Sequence, residues 1–172
     1  MASKNFTEVK VIQRGEAYVT PLQPFHLKQI NIHQENLNEL SYYGYEDVDE
    51  ALEHMSQQSE SYVCRNKHGE IIFICGLWFE IEDDPQMFMI LADNISDNVH
   101  LMAKMSIALL HMFEMCHLTI TMSILAKSER MLHWACWLGF APVGTDETFV
   151  EFVRCNITGN SVTDESLRPV TH

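Results

Sequence analysis

Nine histidines and five cysteines are the side chains with the widest chemical range in this 172-residue sequence, and their spacing limits what they can do. No HxxxH, HExxH or CxxC motif occurs, so no short segment presents a ready-made zinc set. His111 and His117 flank Glu114 at spacings of three, which spreads them around a helix end. They are expected to be partly exposed helix and loop histidines, with no metal bound. The cysteines, Cys64, Cys75, Cys116, Cys136 and Cys155, are odd in number and widely spaced, mostly in apolar segments. That pattern predicts buried thiols in a reducing compartment. Cys136 lies between Trp134 and Trp137 in WACWLG, an apolar setting that raises a thiol pKa and does not activate it. Phosphate cradles built on glycine are absent, with only 7 glycines in the chain. No catalytic constellation is expected from these residues.

The elements that hold these side chains can be read from periodicity. Leu118, Ile120, Met122 and Ile124 alternate with Thr119, Thr121 and Ser123, which is the period of a half-buried strand. A helix follows, with Ser128 as N-cap, Met131, Leu132, Ala135 and Leu138 on one face, and Gly139 supplying the left-handed stop. Upstream, Val9–Val19 contains a first strand and Phe25–Leu40 reads as one helix with Leu27, Ile30, Leu37 and Leu40 inward. Tyr42, Tyr43 and Tyr45 surround Gly44 in a loop whose aromatics can line a pocket or pack over the core, packing being the expected role. A second helix covers Asp47–Gln58.

Ser61–Arg65 and Glu70–Phe79 form a hairpin around Asn66-Lys67-His68-Gly69. Its second arm is apolar on both faces and should be central, with Gly76 marking a bulge or a close backbone approach. Gln86–Leu91 is another buried strand. Val99–Cys116 is the longest helix, capped by Ser96 or Asp97, with Met102, Met105, Leu109, Met112, Phe113 and Cys116 as its apolar stripe. A last hairpin pairs Ala141–Val143 with Thr148–Cys155. One domain over 1–155 and a polar, partner-docked tail over 156–172 are expected.

A formal net charge of -13, from 24 acidic and 11 basic residues, argues against direct nucleic-acid binding, which needs clustered Lys and Arg. The acids gather in two patches, Glu46, Asp47, Asp49, Glu50 and Glu53, then Glu80, Glu82, Asp83 and Asp84, expected to be solvated faces suited to choosing a partner. No apolar run is long enough for a membrane helix and the N-terminus lacks a signal-peptide core. The ten methionines read as core filler.

This order of elements, with WLGF before a short closing hairpin, resembles the GNAT superfamily of acyl-CoA N-acyltransferases over Val9–Cys155. The resemblance implies an α/β (α+β) fold with a mixed, mostly antiparallel sheet and helices on both faces. It also implies a glycine-rich, cationic loop for the cofactor's pyrophosphate after the Gln86–Leu91 strand. That place reads ADNISDNVH, with Asp93, Asn94, Ser96, Asp97 and Asn98 as degenerate loop positions that have neither glycine nor cation. Ala135 stands where the family often has a tyrosine that protonates the leaving thiolate, and Ser128 where it often has an asparagine. His133 lies near the expected acceptor amine.

On these grounds no catalytic, cofactor-binding or metal residue is expected, and acetyl-CoA belongs only to an alternative reading as an N-acetyltransferase with an atypical loop. A narrower resemblance, to internal virion proteins of short-tailed bacteriophages, implies a structural or assembly protein. Its partners would be other virion proteins and possible further copies of itself. It would be found in the host cytoplasm during assembly and then in the virion. A small acidic phage inhibitor of a host protein is the third reading.

Overall fold

A computed structural model describes residues 9–45, 47–81 and 84–156. Their strands form one eight-stranded sheet in the order β1-β2-β3-β4-β5-β6-β8-β7. The first two strands, β1 (Ile12–Arg14) and β2 (Ala17–Pro21), divide the single strand expected over Val9–Val19 into a hairpin. Gly15 makes the reversal with φ 63°, a conformation that costs a residue with a Cβ.

The helix expected over Phe25–Leu40 is also two elements, α1 (Pro24–Leu27) and α2 (Gln34–Tyr42). Between them the backbone is used by the sheet: Ile32 bridges Ala92, the His33 amide donates to Leu91 O at 2.8 Å, and the Asp93 amide donates to Asn31 O. Tertiary hydrogen bonds overrule the helical period there. His33 then caps α2, its Nδ1 accepting from the Glu35 amide at 3.3 Å. His26, on α1, is fully buried, contrary to the expected exposure of the histidines, and its Nδ1 accepts from the Gln23 amide.

The next helix, α3 (Val48–Gln58), starts where Asp47 accepts from the Asp49 amide. Asp49, Glu50 and Glu53 are exposed on it. Of the other acids in the two expected patches, Glu46, Glu82 and Asp83 lie outside the described residues.

The hairpin of β3 (Ser59–Arg65) and β4 (Ile71–Ile81) turns at Asn66–Gly69 as expected, with Asn66 Oδ1 accepting from the His68 and Glu70 amides. β4 is central, paired with β3 on one side and β5 (Asp84–Leu91) on the other. Gly76 is a close approach and not a bulge, since it stays in register with both Ser61 and Phe88. A Cβ there would stand 2.6 Å from Glu60 O and 2.9 Å from Phe88 Cε1.

Alternation along these strands divides the core between two helical layers. Cys75, Leu77, Met87 and Met89 pack against Met105, Leu109 and Phe113 of α4 (Val99–Glu114), while Ile74 and Ile90 pack against Leu40, Leu52 and Met55 of α2 and α3. A 3-10 segment over Asp93–Asn98 runs directly into α4, so neither Ser96 nor Asp97 caps it; Asn98 holds the cap position without a side-chain bond. Cys116 falls beyond the helix and is exposed, outside the apolar stripe expected to include it.

Then come β6 (Thr119–Leu125), α5 (Glu129–Trp137), β7 (Ala141–Thr145) and β8 (Phe149–Cys155). Leu118 lies before β6 and is 77% exposed, so the buried alternation starts at Ile120. Gly139 ends α5 with φ 86°, and Arg154 of β8 reaches past it to donate to Leu138 O and to Glu114 at the end of α4. The last described residue, Asn156, donates from its backbone to Leu118 O and from its side chain to Glu114 O. The expected tail over 157–172 lies outside the described residues. No described helix is long and apolar enough to cross a membrane.

Candidate functional site

Every neighbouring strand pair is antiparallel except β5 and β6, and that pair defines the cleft. These two strands meet in register only at Gln86 and Thr121. Beyond that point the β5 edge is satisfied by α2 and not by β6. Asn36, 5% exposed, donates Nδ2 to Met89 O at 3.1 Å and accepts from the Leu91 amide through Oδ1 at 2.9 Å. With the His33 amide on Leu91 O, the edge that a parallel partner would use is filled. Met89 O and both backbone groups of Leu91 therefore keep partners where the strands separate.

The gap is a cavity of about 280 Å³. Its walls are Met87–Leu91 and Met122–Leu125 from the two strands, with Met131 and Trp134 from α5. Helix α2 lies along it, contributing Glu35, Asn36 and Glu39, with Tyr43 at its C-cap, and is tied to the far side. Tyr43 stacks on Phe149 of β8 at 5.1 Å, and Lys127 donates to the Tyr42 hydroxyl and sits over its ring. Tyr43 and Tyr45 thus line the cleft, the second of the two roles open to this aromatic loop and not the packing role expected first.

The charge in the cleft is acidic. Burial, against a hydrogen bond from Asn36 and with the nearby charge of Glu35, raises the Glu39 carboxyl from 4.5 to about 7. Burial and the same carboxylate, with Glu151 beyond it, raise Tyr43 to about 12 although half of its surface stays exposed. Two polar atoms on the lining are buried and lack any hydrogen-bond partner: Glu35 Oε2 on α2 and Trp134 Nε1 on α5. A carboxyl that ionises near neutrality in a largely apolar cleft suits proton transfer.

The residues singled out in the sequence occupy other places. Asn94, Asp97 and Asn98 line a separate, mixed-charge groove of about 600 Å³ with Arg14, Lys67 and His68. None of Asp93, Asn94, Ser96, Asp97 and Asn98 lines the cleft. The turn is closed as an anion cradle, because the Asp93 amide is bonded to Asn31 O and the Ile95 amide to Ala92 O. An acyl-CoA pyrophosphate, which the fold implies, does not fit these residues.

Ser128 does line the cleft, at the start of α5. Ala135 is completely buried in the core, and His133 is exposed on the other side of the helix from the cleft residues Met131 and Trp134. Cys64 and Cys75 are buried, which raises both thiols, but Cys116, Cys136 and Cys155 are exposed, against the expectation of buried thiols. Among the described residues no three metal-ligating side chains converge. The acidic pair Glu35 and Glu39 escaped sequence reasoning. Their signal was one-turn spacing on the same side of the helix as the buried Asn36 and Leu40, hidden by reading α1 and α2 as one helix.

An antiparallel sheet opened at one parallel pair, with helices on both faces, is the GNAT fold. Solved structures bear this out at the level of architecture. The chain superposes on the ribosomal-protein-S5-alanine acetyltransferase from Vibrio fischeri with a TM-score of 0.58 at 13% identity, covering 87% of this chain and 98% of that one. Spermidine/spermine N-acetyltransferase SpeG from Vibrio cholerae gives 0.58 at 16% identity, over 81% and 94%. A putative phosphinothricin N-acetyltransferase gives 0.60 at 10% identity, over 81% and 98%. No protein-family model matches the sequence, and no curated protein does.

Proposed function

We propose that the cleft is an N-acyl-transfer site in which Glu39 is the general base. The observation that carries this reading is the Glu39 carboxyl, raised to about 7 inside the gap between β5 and β6, the parallel pair among the described strands. At neutral pH a useful fraction is ionised and able to take a proton from a bound amine. The amine nitrogen then attacks the carbonyl carbon of an activated acyl group, forming a C–N bond as the bond to the leaving group breaks. Ala135 has no proton to give, so the leaving group collects one from water.

The acidic lining favours a cationic amine over an anion. The acyl donor engages the cleft by its acyl end, since the closed Asp93–Asn98 turn offers its far end no cradle. The fold's solved relatives, N-acetyltransferases by name, support the same class of reaction. The test is calorimetry with acetyl-CoA, followed by turnover of an amine panel with acetyl-CoA and with a short acyl thioester. Acetylated amine formed by the wild type and lost in Glu39→Gln is the expected result; no transfer from either donor would sink the reading.

The closed turn and the buried Ala135 favour a second reading, a non-catalytic structural or assembly protein of a bacteriophage particle. Its partners would be other virion proteins or further copies of the chain. Cross-linking in native lysate tests it, with recovery of virion proteins expected and recovery of none counting against it.

A further inference from the structure

One wall of the cleft is aromatic. Trp78 of β4 stands opposite Gln86 and Gly76 opposite Phe88, so Trp78 and Phe88 are diagonal neighbours on the same face of adjacent strands. Tyr45, from the loop after α2, packs into the same apolar cluster, and all three side chains line the cleft and keep part of their surface accessible. Contacts outside the cleft hold them in place. The Tyr45 hydroxyl is hydrogen-bonded to His54 Nδ1 at 2.9 Å, and the same imidazole meets Trp78 edge-on at 5.3 Å. His54 itself is exposed on α3 and does not line the cavity. Phe88 lies over Gly76, its Cε1 2.9 Å from where a Cβ would stand.

We infer that the amine this cleft recognises is an arylalkylamine, its ring laid against Tyr45, Trp78 and Phe88 and its ammonium turned to Glu39 on α2. The inference rests on the acyl-transfer reading and deepens it by naming the acceptor class. Glu39 lines the same cavity of about 280 Å³ and also keeps accessible surface, so one ring joined to an amine by a short chain can meet both. An aromatic ligand ring gains offset or edge contacts with the three side chains beyond the apolar area it buries, which a saturated body of the same size does not. Side chains fixed before binding have little freedom left to lose, so little of that gain goes to ordering them. A polyamine is disfavoured. Its charged nitrogens, spread along the chain, would lose water against the apolar wall without a partner there.

The experiment is a binding series without any acyl donor. Phenethylamine, tryptamine, 2-cyclohexylethylamine, pentylamine and spermidine are titrated into the full chain by calorimetry, and each is then offered with acetyl-CoA and with a short acyl thioester. Phenethylamine or tryptamine should bind about fivefold tighter than 2-cyclohexylethylamine, which matches phenethylamine in charge and size but has no π-face. Trp78→Leu should bring that ratio to about one. His54→Ala, at an exposed helix position outside the cavity, should lower the ratio with the fold intact, and it carries the test if Trp78→Leu does not fold. Glu39→Gln should weaken every amine about tenfold and keep the ratio. A wild-type ratio near one, a ratio that neither Trp78→Leu nor His54→Ala lowers, full affinity in Glu39→Gln, or no binding by any of these amines overturns the inference. Ring preference without turnover would remove the acyl-transfer reading alone, and turnover without ring preference would remove the arylalkylamine assignment alone.

Discussion

A carboxyl withdrawn from water is harder to ionise, and in Glu39 the withdrawal outweighs the hydrogen bond from Asn36 that favours the charged form. Its value in the folded chain stands above that in the unfolded chain, so the native state keeps a proton that the unfolded chain has released between about 4.5 and 7. Native stability therefore falls as pH rises through that window and levels off above it. Glu39→Gln should remove this dependence, gaining about 1–3 kcal/mol on the wild type at pH 8 relative to pH 4, as read from urea unfolding across pH. The same variant should lower acyl transfer by about a hundredfold or more, and the wild-type rate should climb through pH 7 to a plateau. A rate that falls across that range would assign the proton transfer to another group.

At the scale of elements, the cleft exists because one side chain of α2 stands in for a strand. Asn36→Ala would leave Met89 O and the Leu91 amide without partners at a buried edge, at a cost of about 2–4 kcal/mol in urea unfolding. Removing the Asn36 donor also takes away the one interaction that lowers the Glu39 value, so the pH midpoint for transfer should move upward. Gly76→Ala tests the sheet that supports this arrangement. Its new methyl would meet a backbone carbonyl and a ring edge, neither able to yield cheaply, and about 2–3 kcal/mol of stability should be lost. Gly139 is held differently: a Cβ at its positive φ would also displace Arg154 from Leu138 O, the contact that joins the last strand to the ends of α4 and α5.

For the whole molecule the dominant fact is a net charge of -13 on 172 residues. Like charges repel in the compact state, and salt screens them over a Debye length of about 10 Å at 0.1 M. Raising sodium chloride from about 0.05 M to about 1 M should stabilise the fold by ~1 kcal/mol, or roughly 2–4 °C in Tm for a chain of this length. Binding of a cationic amine should weaken over the same range. A Tm that drops with salt would mean that the carboxylates are paired attractively and not merely crowded together.

From β3 onward the order of strands and helices, the central β4, the stop at Gly139 and the closing hairpin were legible because each depends on residues near in sequence: alternation, a turn, a left-handed glycine. The divided β1–β2 hairpin and the gap between α1 and α2 were not, since the deciding bonds come from residues distant in the chain, His33 to Leu91 and Asn31 to Asp93. The loss of the glycine loop and the alanine at position 135 were visible as residue types. Where the replacement chemistry lies was decided only in three dimensions. Glu39 is an ordinary exposed-looking glutamate until α2 is laid along the opened β5 edge, and burial, which no local pattern encodes, then sets its proton affinity.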